Sequence, residues 1–158
     1  MSPLQLTTAE KWALVTTAFG LLHHLDHVLR VNHSGWPFLA DINTFTYSLA
    51  VYPLIALVLL ARGWKRFRTT LAFLLFLFPT LSHILIETPV TQYRTWAHKP
   101  NVNMLGVSSP ALGAAAVLIT VLLSIAALMT FITFRREMRQ KSSMKQHQGE
   151  KNAGKRCG

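Results

Sequence analysis

Long apolar runs constrain this chain more than any other feature of its sequence. Residues 110–134 contain no charged side chain, and residues 44–62 are apolar except toward their ends. A third apolar run covers residues 67–86 and is interrupted by Pro79 and His83. Because an α-helix needs about 20 predominantly apolar residues to cross a bilayer, these runs predict membrane spans.

A fourth candidate span, residues 11–30, is less apolar than the others. Its last third, HHLDHVLR, carries three histidines, an aspartate and an arginine. Lys11 followed by an apolar run is also typical of a signal peptide, but no small-x-small cleavage site follows Gly20. We interpret this segment as the first span, with a re-entrant or interfacial helix as the alternative.

The distribution of charge supports a membrane protein and orients it. Only 14% of the residues are charged, against about 25% in soluble domains, and the formal net charge is +10. With the amino terminus inside, the basic residues gather on the cytoplasmic side, as the positive-inside rule requires. The exceptions are Arg30, Arg94 and Lys99. The positions of the basic residues are therefore explained by membrane topology. Because this accounts for the positive charge, we expect no nucleic-acid partner.

These patterns predict an all-α integral membrane protein, a four-helix bundle with up-down-up-down connections and both termini cytoplasmic. Residues 1–134 form the transmembrane domain, and residues 135–158, which are polar and basic, are expected to form a disordered tail. A bacterial inner (plasma) membrane is the expected location. The single cysteine, Cys157, excludes an internal disulfide.

Ionisable residues cluster near the outer ends of the first and third predicted helices. On the first helix they span about 100° of its circumference, at 100° per residue. The two helices run parallel in the predicted bundle, so both groups can meet at one depth and face the interior, away from lipid. They are Asp26, Arg30, His23 and His27 on the first helix and His83 and Glu87 on the third.

The spacing of these residues predicts a metal site. His23 and His27 lie one helical turn apart, and His83 and Glu87 repeat that spacing on the third helix. Asp26 could bind the ion or orient an imidazole. Histidine and carboxylate ligands suit zinc, non-heme iron or manganese better than copper(I), which prefers sulfur ligands.

The string from His23 to His27, HHLDH, resembles a fragment of the histidine boxes of membrane di-iron oxygenases. Those families distribute several boxes over longer chains. This chain has one such string, so the resemblance does not assign it to them.

Heme b is an alternative cofactor. A bundle of membrane helices can hold heme between two axial imidazoles, here His23 or His27 opposite His83, and would then transfer electrons. Gly20, one turn before His23, would leave room for a ring.

A second alternative needs no cofactor. The same groups can form a structural cluster of ion pairs, such as Arg30 with Asp26 or Glu87, in a scaffold, a sensor or a proton-handling protein. The inner halves of the predicted helices offer almost no polar path, so a continuous pore is not expected.

If the site is catalytic, two reaction classes follow. A metal-bound water could attack an ester or amide with Asp26 or Glu87 as general base, or a redox iron could act on a lipid or quinone-like substrate. Arg30 could hold an anionic head group. The expected enzyme is thus a metal-dependent hydrolase or oxidoreductase.

A small-residue face at 113–116 could also pack a homo-oligomer.

Overall fold

A computed structural model of the chain describes residues 5–30 and 49–154. The described residues form helices joined by turns, and no strand occurs among them, which confirms the all-α class. The helices are α1 (Thr8–Leu29), α2 (Val51–Leu60), α3 (Lys65–Leu85), α4 (Pro89–His98) and α5 (Pro110–Gly154), with a 3-10 turn at Pro100–Val102.

Two helices are long and apolar enough to cross a membrane. They are α3, with a mean hydropathy of 1.4, and the Pro110–Gln140 part of α5, with a mean hydropathy of 2.6. Both coincide with predicted spans. Within the described ranges α1 does not meet this criterion, because its last third is polar, and α2 is short. The first residues of the predicted second span, 44–48, lie outside the described residues.

The first turn of α1 is fixed by capping. The Glu10 amide donates to Thr7 Oγ1 over 3.2 Å, and the Thr7 amide donates to Glu10 Oε2 over 3.0 Å. This reciprocal pair satisfies two amides that have no partner within the helix. The Ala9 amide donates to Glu137 Oε1 over 3.2 Å, which attaches the start of α1 to α5.

Buried charge joins the helices at this end. Glu10 is fully buried and accepts hydrogen bonds from Arg62, at 2.8 and 2.9 Å, and from Arg68, at 2.8 Å. Arg68 also donates to the Val58 carbonyl and lies 4.5 Å from the centre of the Phe134 ring. An apolar cluster packs beside this network. Its buried members are Ala9, Ile55, Val58, Leu71, Ala72, Leu75 and Phe134.

Polar contacts join the same helices again at the opposite end of α1. Arg30, after the last turn of α1, pairs with Glu87, which follows α3. His23 contacts Thr120 in the first half of α5. Side chains at the starts of α1 and α3 are in contact and so are those at their ends, so the two helices run in the same direction, and both pack on α5.

Two segments differ from the sequence prediction. Residues 89–98, expected to lie in a loop, form α4, because Thr88 caps it and Pro89 suits its first turn. The expectation of a disordered tail is wrong for residues 135–154, which continue α5 to Gly154. This stretch is rich in arginine, lysine, glutamine and glutamate, which favour helix without help from packing. Residues 155–158 lie outside the described residues.

Candidate metal centre

Three histidines from two helices form the centre of the site. His23 and His27 lie on α1 and His83 lies on α3, and one ring nitrogen of each lies within 4.8 Å of the others. All three side chains are buried. We call them the histidine triad. The i, i+4 spacing points both α1 imidazoles the same way, and the parallel course of α1 and α3 brings His83 to the same depth.

The triad has a geometry that could accommodate an ion. Nε2 of His23 lies 2.9 Å from Nε2 of His27. The His23 ring stands edge-on to both other rings, with centroid distances of 4.5 Å to each. A tetrahedral zinc with bonds of about 2.0–2.1 Å holds its ligand nitrogens roughly 3.4 Å apart. In the triad, the two α1 nitrogens lie 2.9 Å apart and all three ligand nitrogens lie within 4.8 Å of one another, so this range of distances includes the value for zinc.

Glu87 places a carboxylate oxygen beside the triad. Its Oε2 lies 3.4 Å from His27 Nε2 and 3.8 Å from His83 Nδ1. The side chain is buried, and Oε2 accepts no hydrogen bond from the described residues. A buried carboxylate oxygen without a hydrogen bond is costly, so its position next to the imidazoles of His27 and His83 favours a role as a ligand.

Arg30 links the two carboxylates of the site. It is fully buried and donates through Nη1 to Glu87 Oε1 and through Nη2 to Asp26 Oδ2. If the imidazoles are neutral, one guanidinium faces two carboxylates, which leaves one negative charge uncompensated. An uncompensated buried negative charge favours binding of a cation.

Asp26 has hydrogen-bond donors at both oxygens. Trp96 Nε1 donates to Oδ1 over 2.7 Å, and Gln92 Nε2 donates to Oδ2 over 3.1 Å, next to the bond from Arg30. The structure therefore places Asp26 next to the triad but directs its oxygens toward α4 and Arg30. Its contacts are those of a residue that positions its neighbours.

Thr120 of α5 holds the other side of His23. Its Oγ1 lies 3.2 Å from His23 Nδ1, and it also bonds to the side-chain amide of Gln92. A hydrogen bond to Nδ1 fixes the ring and leaves Nε2 for the centre of the triad.

Three further residues belong to the surroundings of the triad although the sequence pattern does not predict them: Gln92, Trp96 and Thr120. Two features of the sequence bear on these residues. Thr120 is a polar residue with apolar neighbours on both sides, and Gln92 and Trp96 lie one helical turn apart after Thr88 and Pro89, which suit the start of a helix. Neither feature by itself points to Asp26.

A small cavity lies against the triad. Its volume is about 60 Å³, and its lining includes Gly20, the triad, Pro79 and Glu87, but neither Asp26 nor Arg30. This is enough for an ion and one or two waters, since a water occupies about 30 Å³ in the liquid. Sites for small organic ligands usually have volumes of about 300–1,000 Å³. The triad cavity by itself is below that range.

The chain matches no protein-family model, no curated protein and no solved structure. Its function must therefore be argued from its own residues and their geometry.

Proposed function

We propose that this chain is an integral membrane protein that binds a divalent metal ion through His23, His27, His83 and Glu87. One observation carries the proposal. Three buried imidazoles converge next to a buried carboxylate oxygen that accepts no hydrogen bond from the described residues. A divalent ion would compensate the negative charge that Arg30 leaves unmatched and would satisfy this oxygen.

The membrane topology is part of the proposal. Four helices would cross the bilayer with both termini in the cytoplasm, and the metal centre would lie in the outer half. Two sufficiently apolar helices and the concentration of bases on one side support this arrangement. We place the protein in a bacterial inner (plasma) membrane.

The ligands restrict the identity of the ion. Imidazole nitrogens and a carboxylate suit zinc, non-heme iron or manganese. Copper(I) would require thiolate or thioether ligands, and no cysteine or methionine occurs among the described residues that line the cavity. The buried charges of Glu87 and Arg30 beside the triad suit an ion better than the apolar edge of heme b, so electron transfer through bis-histidine heme is the less supported alternative.

The roles of the charged residues follow from their contacts. Glu87 is the carboxylate that lines the cavity, so it is placed either to bind the ion or to accept a proton from a bound water. Asp26 and Arg30 act as positioning residues, because they contact each other and their neighbours rather than the cavity. A bound zinc would supply Lewis-acid chemistry for a hydrolase, and iron or manganese would supply redox chemistry for an oxidoreductase.

Metal analysis combined with an optical spectrum tests the proposal. The protein is purified as produced and again after supplementation with zinc, iron and manganese, together with the His23→Ala/His83→Ala double variant. His98→Ala is the matched control, because His98 is exposed and lies on α4 outside the triad. We expect about one metal ion per chain in the native protein and the control, and none in the double variant.

The alternatives give different results in the same experiment. A Soret band lost in the double variant would establish heme. A colourless protein that stays metal-free after supplementation would contradict the proposal and would leave a structural cluster, as in a scaffold, sensor or proton-handling protein.

A further inference from the structure

A larger cavity adjoins the triad cavity on the side of α2 and α3. Its volume is about 680 Å³, within the range of organic-ligand sites. Its lining is apolar with the exception of Ser82. We call it the α2–α3 groove. Residues that define it include Val51 and Leu54 on α2 and Leu74, Phe78, Leu81 and Leu85 on α3.

The α2–α3 groove borders the triad cavity. Val51, Leu75, Phe78, Ser82 and Ile86 line both spaces. The apolar groove therefore lies next to the cavity that the triad and Glu87 line. A molecule that fills both spaces would have an apolar body and a polar end.

The groove runs along α3, so in the proposed topology its long axis follows the direction in which this helix crosses the bilayer. Its lining on α3 extends from residue 74 to residue 86, about 18 Å along the helix axis at 1.5 Å per residue. The hydrocarbon core of a bilayer is about 30 Å thick. In the proposed orientation, one end of the groove lies at the outer polar layer and the other near the middle of the membrane.

Within the described ranges, the groove is open on the side that would face lipid. Leu74, Phe78 and Leu81 are each more than 40% exposed although they line it. A hydrocarbon chain could therefore enter sideways from the bilayer, without passing through water.

We propose that the α2–α3 groove holds the hydrocarbon chain of a single-chain amphiphile whose polar end group coordinates the metal in the triad. This inference rests on the proposed metal site. With neutral imidazoles, a divalent ion added to the one negative charge that Arg30 leaves uncompensated gives the site a net positive charge, so the end group is an anionic oxygen donor such as a carboxylate. The substrate class is thus a long-chain acid or a molecule with the same end group.

Cobalt(II) in the metal site provides a direct readout of binding. The full chain is loaded with Co²⁺ in phosphatidylcholine nanodiscs, and its visible absorption is followed during titration with decanohydroxamic acid or acetohydroxamic acid. The two probes carry the same metal-binding end group and differ in chain length. We expect the ten-carbon probe to shift the cobalt spectrum at a concentration at least tenfold lower.

Chain partitioning into the bilayer must be separated from binding in the groove. Leu81→Trp fills the groove, and Leu118→Trp is the matched control, since Leu118 is an exposed α5 leucine outside it. Neither substitution changes the bilayer, so the probes partition into it equally with both variants. We expect Leu81→Trp to lose the preference for the long probe and to keep its response to acetohydroxamic acid, while Leu118→Trp behaves as the native protein.

Each contrary result has its own meaning. If Co²⁺ does not bind before any probe is added, the metal site itself fails, and this inference fails with it. If Co²⁺ binds but Leu81→Trp keeps the full chain-length preference, or neither probe shifts the spectrum, only the groove assignment is overturned. It is also overturned if Leu81→Trp dissociates an oligomer without changing probe binding, because the groove would then hold a helix of a second copy.

Discussion

Nε2 of His27 lies 2.9 Å from Nε2 of His23, one turn earlier on the same helix. Two imidazole nitrogens at this distance either share a proton or face a common ion. His23 already has a hydrogen-bond partner at Nδ1, the hydroxyl of Thr120, so its Nε2 is the nitrogen left for the shared position. The Thr120 hydroxyl thus orients the His23 ring so that its Nε2 faces Nε2 of His27.

Thr120→Val tests this dependence. Valine keeps the shape of threonine but removes the hydroxyl that contacts His23 and Gln92. Loss of an outer partner of a metal-binding histidine usually lowers metal affinity by about 10–100-fold, and we expect a loss in this range. Competition with a chelator of known affinity measures it. Thr133→Val is the control, because its hydroxyl bonds only to carbonyls of its own helix; equal affinities in the two variants would contradict the role of Thr120.

The triad could be predicted because its determinants are local. The i, i+4 spacing of His23 and His27 fixes their common face, and the limits of the apolar runs set the depth at which His83 meets them. Charge distribution then supplies the direction of each helix. None of these inferences requires knowledge of side-chain contacts.

The surroundings of the triad could not be predicted in the same way. Gln92 and Trp96 lie on a short polar helix that a hydropathy window averages into a loop. The number of hydrogen-bond donors around Asp26 depends on where this helix packs. The sequence therefore could not decide whether Asp26 binds the ion or positions its neighbours. Residues 135–154 lack a periodic apolar face, so the sequence pattern does not predict their helix.

The ion pair between Arg30 and Asp26 is expected to stabilise the fold. Arg30→Met leaves two buried carboxylates without their common cation, and Asp26→Asn leaves Arg30 with one counter-charge. Removing one partner of a buried pair costs about 3–5 kcal/mol, and we expect Arg30→Met to fall in this range. Thermal unfolding of the single variants and of the double variant measures the coupling. The double variant should lose less than the sum of the singles; additive losses would show that the pair contributes nothing beyond its separate members.

Close packing of α4 on α5 depends on Gly113. A Cβ atom there would lie 2.8 Å from the carbonyl oxygen of Tyr93 and 2.9 Å from its Cδ2. Gly113→Ala should therefore destabilise the protein by about 1–3 kcal/mol, as overpacking does elsewhere, and loosen the contacts of α4 with Asp26. Gly20→Ala is the control, since a Cβ at this helical glycine meets no atom within 4 Å. Equal unfolding temperatures for the two variants would disprove the close approach.

Cysteine labelling tests the orientation in the membrane. Asn101→Cys lies in the exposed 3-10 turn and Gly63→Cys in the exposed turn between α2 and α3. In a Cys157→Ser background, a membrane-impermeant maleimide should label only Asn101→Cys in intact spheroplasts and both variants after lysis. Labelling of Gly63→Cys in intact spheroplasts would reverse or abolish the proposed topology.

Acid should weaken the network at the other end of the helices. Glu10 lies in the first turn of α1, before the predicted span. Burial by itself raises the pKa of this carboxyl, but hydrogen bonds from the Thr7 amide, Arg68 and Arg62 outweigh burial and hold the pKa below its usual value. A carboxyl with a lowered pKa stabilises the folded state fully above its unfolded-state pKa, about 4.3 for glutamate, and this contribution is lost as pH falls through the lower folded-state pKa.

Glu10→Gln removes this titration while keeping the shape of the side chain. The native protein should unfold at a higher temperature than the variant at pH 7, and the difference should shrink as the pH is lowered below about 4.3. Thermal unfolding of both proteins in the same detergent between pH 7 and pH 3 measures it. A difference that stays constant or widens toward low pH would show that the ionised carboxylate of Glu10 does not hold Arg62 and Arg68 in place.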